Sequence, residues 1–147
     1  MNILIISPGK KHSSEMAAII GEYEKRLCGR FDLLWRFIPA SDIKDESAAI
    51  LKSIGPDDFA ILLDEKGSAQ TSMQFSHTLE QAVANGAKRI TFIIGGAYGV
   101  LDDVRERADR SISISSMTLP HAIVRILLTE QIYRASEILR GGKYHHA

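Results

Sequence analysis

Five short apolar runs, separated by segments with helical spacing, constrain this chain more than any other feature. The runs are Asn2–Ser7 (NILIIS), Asp32–Ile38 (DLLWRFI), Phe59–Leu63 (FAILL), Arg89–Ile94 (RITFII) and Ser111–Ile114 (SISI). They are short, mostly Ile, Leu and Phe, and read as strands. Between them, Ser13–Arg30, Ser41–Ile54, a segment from Thr71 to Asn85 and a short stretch around Leu101–Ala108 read as helices. Thr71-Ser72-Met73-Gln74 offers a capping box for the third of these, and Asn85-Gly86 a stop. The alternation predicts an α/β fold, a mostly parallel sheet with helices on both faces. No repeat, low-complexity segment or linker interrupts it.

The 147 residues suit one domain spanning 1–147 and are too few for two ordinary ones. Hydrophobic content of 45% and charged content of 24% fit a soluble globular protein. No apolar run approaches the roughly 18 residues of a membrane span. The start, MNILIISPGKKH, places its apolar run before its positive charges, so it reads as a strand and not a signal peptide. The single cysteine, Cys28, excludes an internal disulfide framework and a cysteine zinc cluster. We read it as inert on a surface helix. Together these features place the chain in the cytoplasm, away from membranes. A net charge of zero weighs against a non-specific nucleic-acid binder. It leaves room for one that reads a folded RNA through a local basic patch.

Ligands of such folds sit beyond the carboxyl ends of the strands. Three loops qualify: Leu63–Gly67, Gly95–Gly99 and Ile114–Leu119. Gly95, Gly96 and Gly99 form GGxxG, which is neither the dinucleotide fingerprint nor a phosphate loop. It can be a tight turn needing positive φ, or a turn whose missing side chains let a flat ligand lie against backbone. Its place after a strongly apolar strand favours the second. Asp64 and Glu65 are adjacent on a strand end and diverge, so they read as solvated and not as a metal or acid–base pair. We assign no metal site; His145 and His146 alone are too few ligands.

The stretch Ser115–Ala135 (SSMTLPHAIVRILLTEQIYRA) reads as a helix that Thr118 or Ser116 can cap, with Pro120 in its first turn. At about 100° per residue its apolar side chains leave no wide wet face. Yet His121, Arg125, Glu130 and Arg134 are threaded through it. Glu130 and Arg134 have ion-pair spacing, whereas Arg125 can face a ligand or a partner. A helix apolar on all sides calls for a cover beyond its own sheet, and a second copy of the chain is the economical one. The tail, Gly141-Gly142-Lys143-Tyr144-His145-His146-Ala147, is either a frayed end or a mobile aromatic arm that closes over a site.

Taken together, MNILIISPGK, EYEKRL, LLDEKG, TFIIGGAYG, SSMTLPHAIVRILLTEQIYRA and the terminal YHH resemble the RlmH family, across nearly all the chain and in the expected order. These are SPOUT-class methyltransferases of a pseudouridine in large-subunit (23S) ribosomal RNA. The resemblance implies a C-terminal trefoil knot and a homodimer through the last helix. It implies S-adenosyl-L-methionine (S-adenosylmethionine) as cofactor, held by Leu63, Gly95, Gly96, Ile114, Ser115, Ser116, Met117, Thr118 and Leu119. It implies methyl transfer to N3 of the pseudouridine on the assembled ribosome, at a hairpin on the subunit interface. His145 is the candidate base and Tyr144 the residue that stacks on or orients the RNA base. Arg125 and His121 would bind phosphate or orient the site, across the dimer if need be. The tail departs from the family's usual Pro-Tyr-His, with Lys143 before Tyr144 and with His146 and Ala147 after His145. Other readings of the same residues are a SPOUT enzyme acting on another RNA such as transfer RNA, or a catalytically silent ribosome-binding dimer.

Overall fold

A computed structural model describes residues 1–27 and 29–146, so the readings of Cys28 and Ala147 lie outside the described residues. Five strands, β1 (Asn2–Pro8), β2 (Asp32–Ile38), β3 (Asp58–Ala69), β4 (Arg89–Ile94) and β5 (Arg110–Ser113), form one sheet in the order β2-β1-β4-β3-β5. Every pairing in it is parallel. Five helices alternate with them: α1 (Ser14–Arg26), α2 (Ile43–Ser53), α3 (Ser72–Ala84), α4 (Asp102–Arg107) and α5 (His121–Leu139).

The sheet is covered on both sides, which is why its inner strands are apolar on both faces. One face carries Ile3, Ile5, Ile61, Ile90 and Phe92, packed with Phe75 and Leu79 of α3 and Leu128 and Ile132 of α5. The other carries Leu4, Ile6, Leu62 and Ile93 against Ile50 of α2 and Val104 of α4. Helix α5 packs between α1 and α3.

Most expected boundaries fall within a few residues of those observed, and the capping box at Thr71 and Gln74 is complete. Two differ in ways that matter. The third strand does not stop at Leu63. It bulges at Asp64–Gly67 and rejoins β5, so that Leu63 and Ser68 both pair with Ile112. Gly67 permits this, since a Cβ there would lie 2.8 Å from backbone atoms of Ser111 and Ile112. The last helix begins at His121, with Pro120 as its N-cap and no side-chain cap bond, so neither Ser116 nor Thr118 caps it. Proline has no amide to continue a helix backwards, and residues 114–120 become a loop instead.

Candidate active site

The three loops expected to meet a ligand converge at the carboxyl ends of β3, β4 and β5. They enclose a cleft of about 870 Å3, within the range of small-molecule sites. Leu62 to Lys66 form one wall, Ile94 to Val100 a second, and Ile114 with residues of the following loop a third. Pro120, His121 and Val124 at the start of α5 close it. Of the expected cofactor residues, Leu63, Gly95, Gly96, Ile114, Ser115, Met117, Thr118 and Leu119 line the cleft; Ser116 does not.

The three glycines after β4 sit in different surroundings. Only Gly99 in this loop has positive φ, +78°, where the turn closes with Gly99 N donating to Gly96 O at 3.0 Å. Gly96 instead abuts the Glu46 carboxylate, which a Cβ would strike. Glu46 in turn accepts the Ser41 amide at 2.9 Å. At Gly95, a Cβ would sit 3.4 Å from Val100 Cγ1. The Glu46 side chain thus accounts for Gly96, while the cleft wall at this point remains bare backbone.

Asp64 is not free. Arg105 of α4 binds its carboxylate, and the Lys66 amide donates to it at 3.1 Å. Burial pushes the Asp64 carboxyl up, but Arg105 and the Lys66 amide outweigh it and hold it below its ordinary value. Asp64 is therefore an anion at neutral pH. Glu65 accepts the Thr118 hydroxyl at 3.2 Å, tying the first wall to the third. Arg105 was not singled out in the sequence: it stands 41 residues from Asp64, on a charged helix without a local signal. Tyr98, 82% exposed, stands on the cleft rim unmarked by any motif.

S-adenosyl-L-methionine combines a flat adenine and a ribose with a charged amino-acid arm. The cleft has an apolar floor of Leu62, Ile94, Leu119 and Val124, a bare backbone wall, and polar groups at its edge. This donor set and volume fit such a molecule.

Arg125 stands elsewhere. It is 3% exposed and turned away from the cleft, with Nε donating to Ser7 Oγ at 2.8 Å, Nη2 to Pro8 O at 2.9 Å and Nη1 to Lys10 O at 3.0 Å. Its guanidinium also lies 4.8 Å from the Phe37 ring centre. Burial alone lowers its pKa from the ordinary value, and three oxygens compensate. The structure thus gives Arg125 a fastening role between α5 and the end of β1, in place of contact with a ligand. His121 lies beside it, where a Cβ on Gly9 would come within 3.3 Å of its Nε2.

Tyr144 and His145 are also outside their own cleft. Both fold back on α5, where Arg134 pairs with Glu130 at 2.7 Å. The Tyr144 hydroxyl donates to Glu130 at 3.2 Å, and His145 Nδ1 lies 3.2 Å from Arg134 Nη1. The Tyr144 ring packs on Tyr133, with centres 4.7 Å apart. Burial, then the Glu130 charge, raises the Tyr144 phenol above its ordinary pKa. Arg134 stands ten residues beyond Val124, about 15 Å along the helix axis at 1.5 Å per residue. The tail is therefore anchored and lies well away from the cleft of the same chain.

A family model described as "Predicted SPOUT methyltransferase" matches residues 1–145. The chain is 39% identical to the ribosomal RNA large subunit methyltransferase H of Parabacteroides distasonis, over 99% of each protein. It is 43% identical to the protein of the same name from Prochlorococcus marinus, over 96% of this chain and 93% of that one. Among solved structures, a methylase family protein from Haemophilus influenzae superposes with a TM-score of 0.54 at 15% identity, covering 95% of this chain and 66% of that one. One from Neisseria gonorrhoeae gives 0.52 at 16%, covering 90% and 81%. These two show a shared fold.

Proposed function

The chain belongs to the SPOUT methyltransferase family and, within it, to the ribosomal RNA large subunit methyltransferase H proteins, and we propose that it methylates N3 of a pseudouridine in 23S ribosomal RNA on the assembled ribosome. The observation that carries this reading is the convergence of three separate loops on one cleft, in a chain matched end to end by relatives of that name. S-adenosyl-L-methionine, when bound, supplies a methyl group on a positively charged sulfur. Leu63, Gly95, Gly96 and the Ile114–Leu119 loop would hold it, with the backbone of Gly95 and Gly96 against its flat part. Ser116 stands outside the lining of the cleft and would act only by joining Ser115 to Met117 in that loop.

N3 must lose its proton before or as the methyl group arrives. In this reading His145 takes that proton and Tyr144 orients the RNA base. Both lie far from their own cleft, so a second copy of the chain supplies them. The homodimer is formed through α5. Ile123 and Leu127, one turn apart, support this: they leave α5 42% and 37% exposed, in line with the Glu130–Arg134 pair that anchors the tail. Arg125 acts as a positioning residue that sets α5 against β1. The knot implied by the resemblance, a single domain over 1–147 and a cytoplasmic location belong to the same reading. No helix among the described residues is long and apolar enough to cross a membrane.

The test is transfer of labelled methyl from S-adenosyl-L-methionine to assembled ribosomes lacking the modification, beside free large subunits and bulk transfer RNA. Label on N3 of a large-subunit pseudouridine, dependent on the assembled ribosome, is expected. Label on transfer RNA, or none on any RNA, would defeat the proposal. In the same assay Tyr144→Ala and His145→Ala should lower methyl transfer far more than cofactor binding. Equal losses would instead put the tail in the cofactor pocket.

A further inference from the structure

Where α1 and α5 end, beside the anchored tail, a hollow of about 380 Å3 is lined by Arg26, Arg30, Glu137 and Arg140. Glu137, only 6% exposed, spends both oxygens on Arg140 at 2.7 Å, so that pair contributes no net charge. Burial works against it, but the Arg140 bonds dominate and keep Glu137 an anion. Arg26 and Arg30 are different. Among the described residues neither side chain has a carboxylate within ion-pair distance or a hydrogen-bond partner.

Arg26 is the last residue of α1 and Arg30 lies beyond its C-cap, Leu27, and both residues are exposed. The dipole of α1 favours a cation at Arg26, but it does not explain Arg30 at the same hollow. The whole chain has a net charge of zero, so this excess is local. It is also placed next to the tail. The Arg26 guanidinium lies 6.0 Å from the Tyr133 ring centre, and Tyr133 also packs edge-on with Tyr144. An exposed arginine at this position keeps its forked N–H groups open to a phosphate.

We propose that Arg26 and Arg30 form a phosphate-binding patch that grips the ribosomal RNA backbone next to the nucleotide presented to the tail. The inference rests on the methyltransferase reading above. It assigns the RNA backbone to the protomer that lends Tyr144 and His145, and the methyl donor to its partner.

The test measures binding of the full-length protein to assembled, unmodified ribosomes over a range of salt, for wild type and for Arg26→Gln/Arg30→Gln. Loss of two phosphate contacts should weaken binding roughly 10-fold at low salt and flatten the salt slope by about 1 to 2. The loss should appear in KM for ribosomes. Melting temperature and affinity for S-adenosyl-L-methionine should stay at wild-type values, and Arg26→Lys/Arg30→Lys should restore the slope. A photo-crosslinking side chain in place of Arg30 should capture ribosomal RNA. Unchanged affinity and slope, or capture of a ribosomal protein in place of RNA, would overturn the patch. Wild-type protein that transfers no methyl group to ribosomes would instead overturn the methyltransferase reading, so the two failures are told apart by the wild-type arm.

Discussion

Asp58 organises the end of the sheet opposite the cleft. Its side chain accepts Arg89 Nη2 at 2.6 Å, the Thr91 hydroxyl at 2.8 Å and the Gly55 amide at 2.8 Å. Burial pushes this carboxyl up, yet the Arg89, Gly55 and Thr91 donors outweigh it and hold it below its ordinary value. A native pKa below the unfolded one means that the unfolded chain binds the proton more readily. The stabilisation is therefore fully present above about pH 4 and is lost as pH falls through the native value. Asp58→Asn should cost about 2–3 kcal/mol at neutral pH, and the gap from wild type should narrow by pH 3 in urea unfolding. A gap independent of pH would mean that Asp58 acts through shape and not charge. Glycines at the same scale serve the fold as much as a ligand: Gly67 lets β3 rejoin β5, and Gly96 makes room for Glu46.

Among the elements, α5 decides how the cleft is closed. Its start lines the cleft, its middle is buried against the sheet, and its outer side holds the tail. Arg125 ties this helix to the turn after β1 through Ser7, Pro8 and Lys10. Nearby, His12 packs edge-on against Trp35 and Phe37, with both ring nitrogens buried and without a hydrogen-bond partner. Burial, then the Arg125 charge, keeps the His12 pKa below its ordinary value, so the ring is held neutral. Replacing Arg125 by Leu removes three charge-assisted bonds and should lower stability by about 2–3 kcal/mol in urea unfolding. Arg125→Lys should recover little, because one ammonium cannot match the three directions of the fork. Full recovery by Lys would show that charge alone matters here.

At the scale of the whole molecule, the proposed dimer answers why an enzyme of this size would keep its cleft and its tail apart. Leu127→Glu places a charge on the outer side of α5, where Leu127 is 37% exposed. The variant should run as a monomer in light scattering and lose methyl transfer while the cleft still binds S-adenosyl-L-methionine. A dimeric Leu127→Glu protein with full activity would move the interface elsewhere. In the proposed α5 dimer, each of two sites draws its loops from one chain and its tail from the other.

Period and length made the parallel α/β architecture legible, since strands buried on both faces must be short and apolar throughout. The three loops that line the cleft were legible for the same reason: strand ends can be counted along a chain, and in such folds ligands sit there. The last helix showed its lack of a wet side but not which neighbour each polar group would meet. Arg125 reads like a ligand residue until the end of β1, more than a hundred residues away in sequence, is folded against it. The start of that helix, the bulge after Leu63, the Asp64–Arg105 pair and the distance of the tail from its own cleft were settled only by tertiary contacts. Local sequence carries periodicity and turn chemistry; which distant oxygen a guanidinium finds depends on how the sheet brings the loops together.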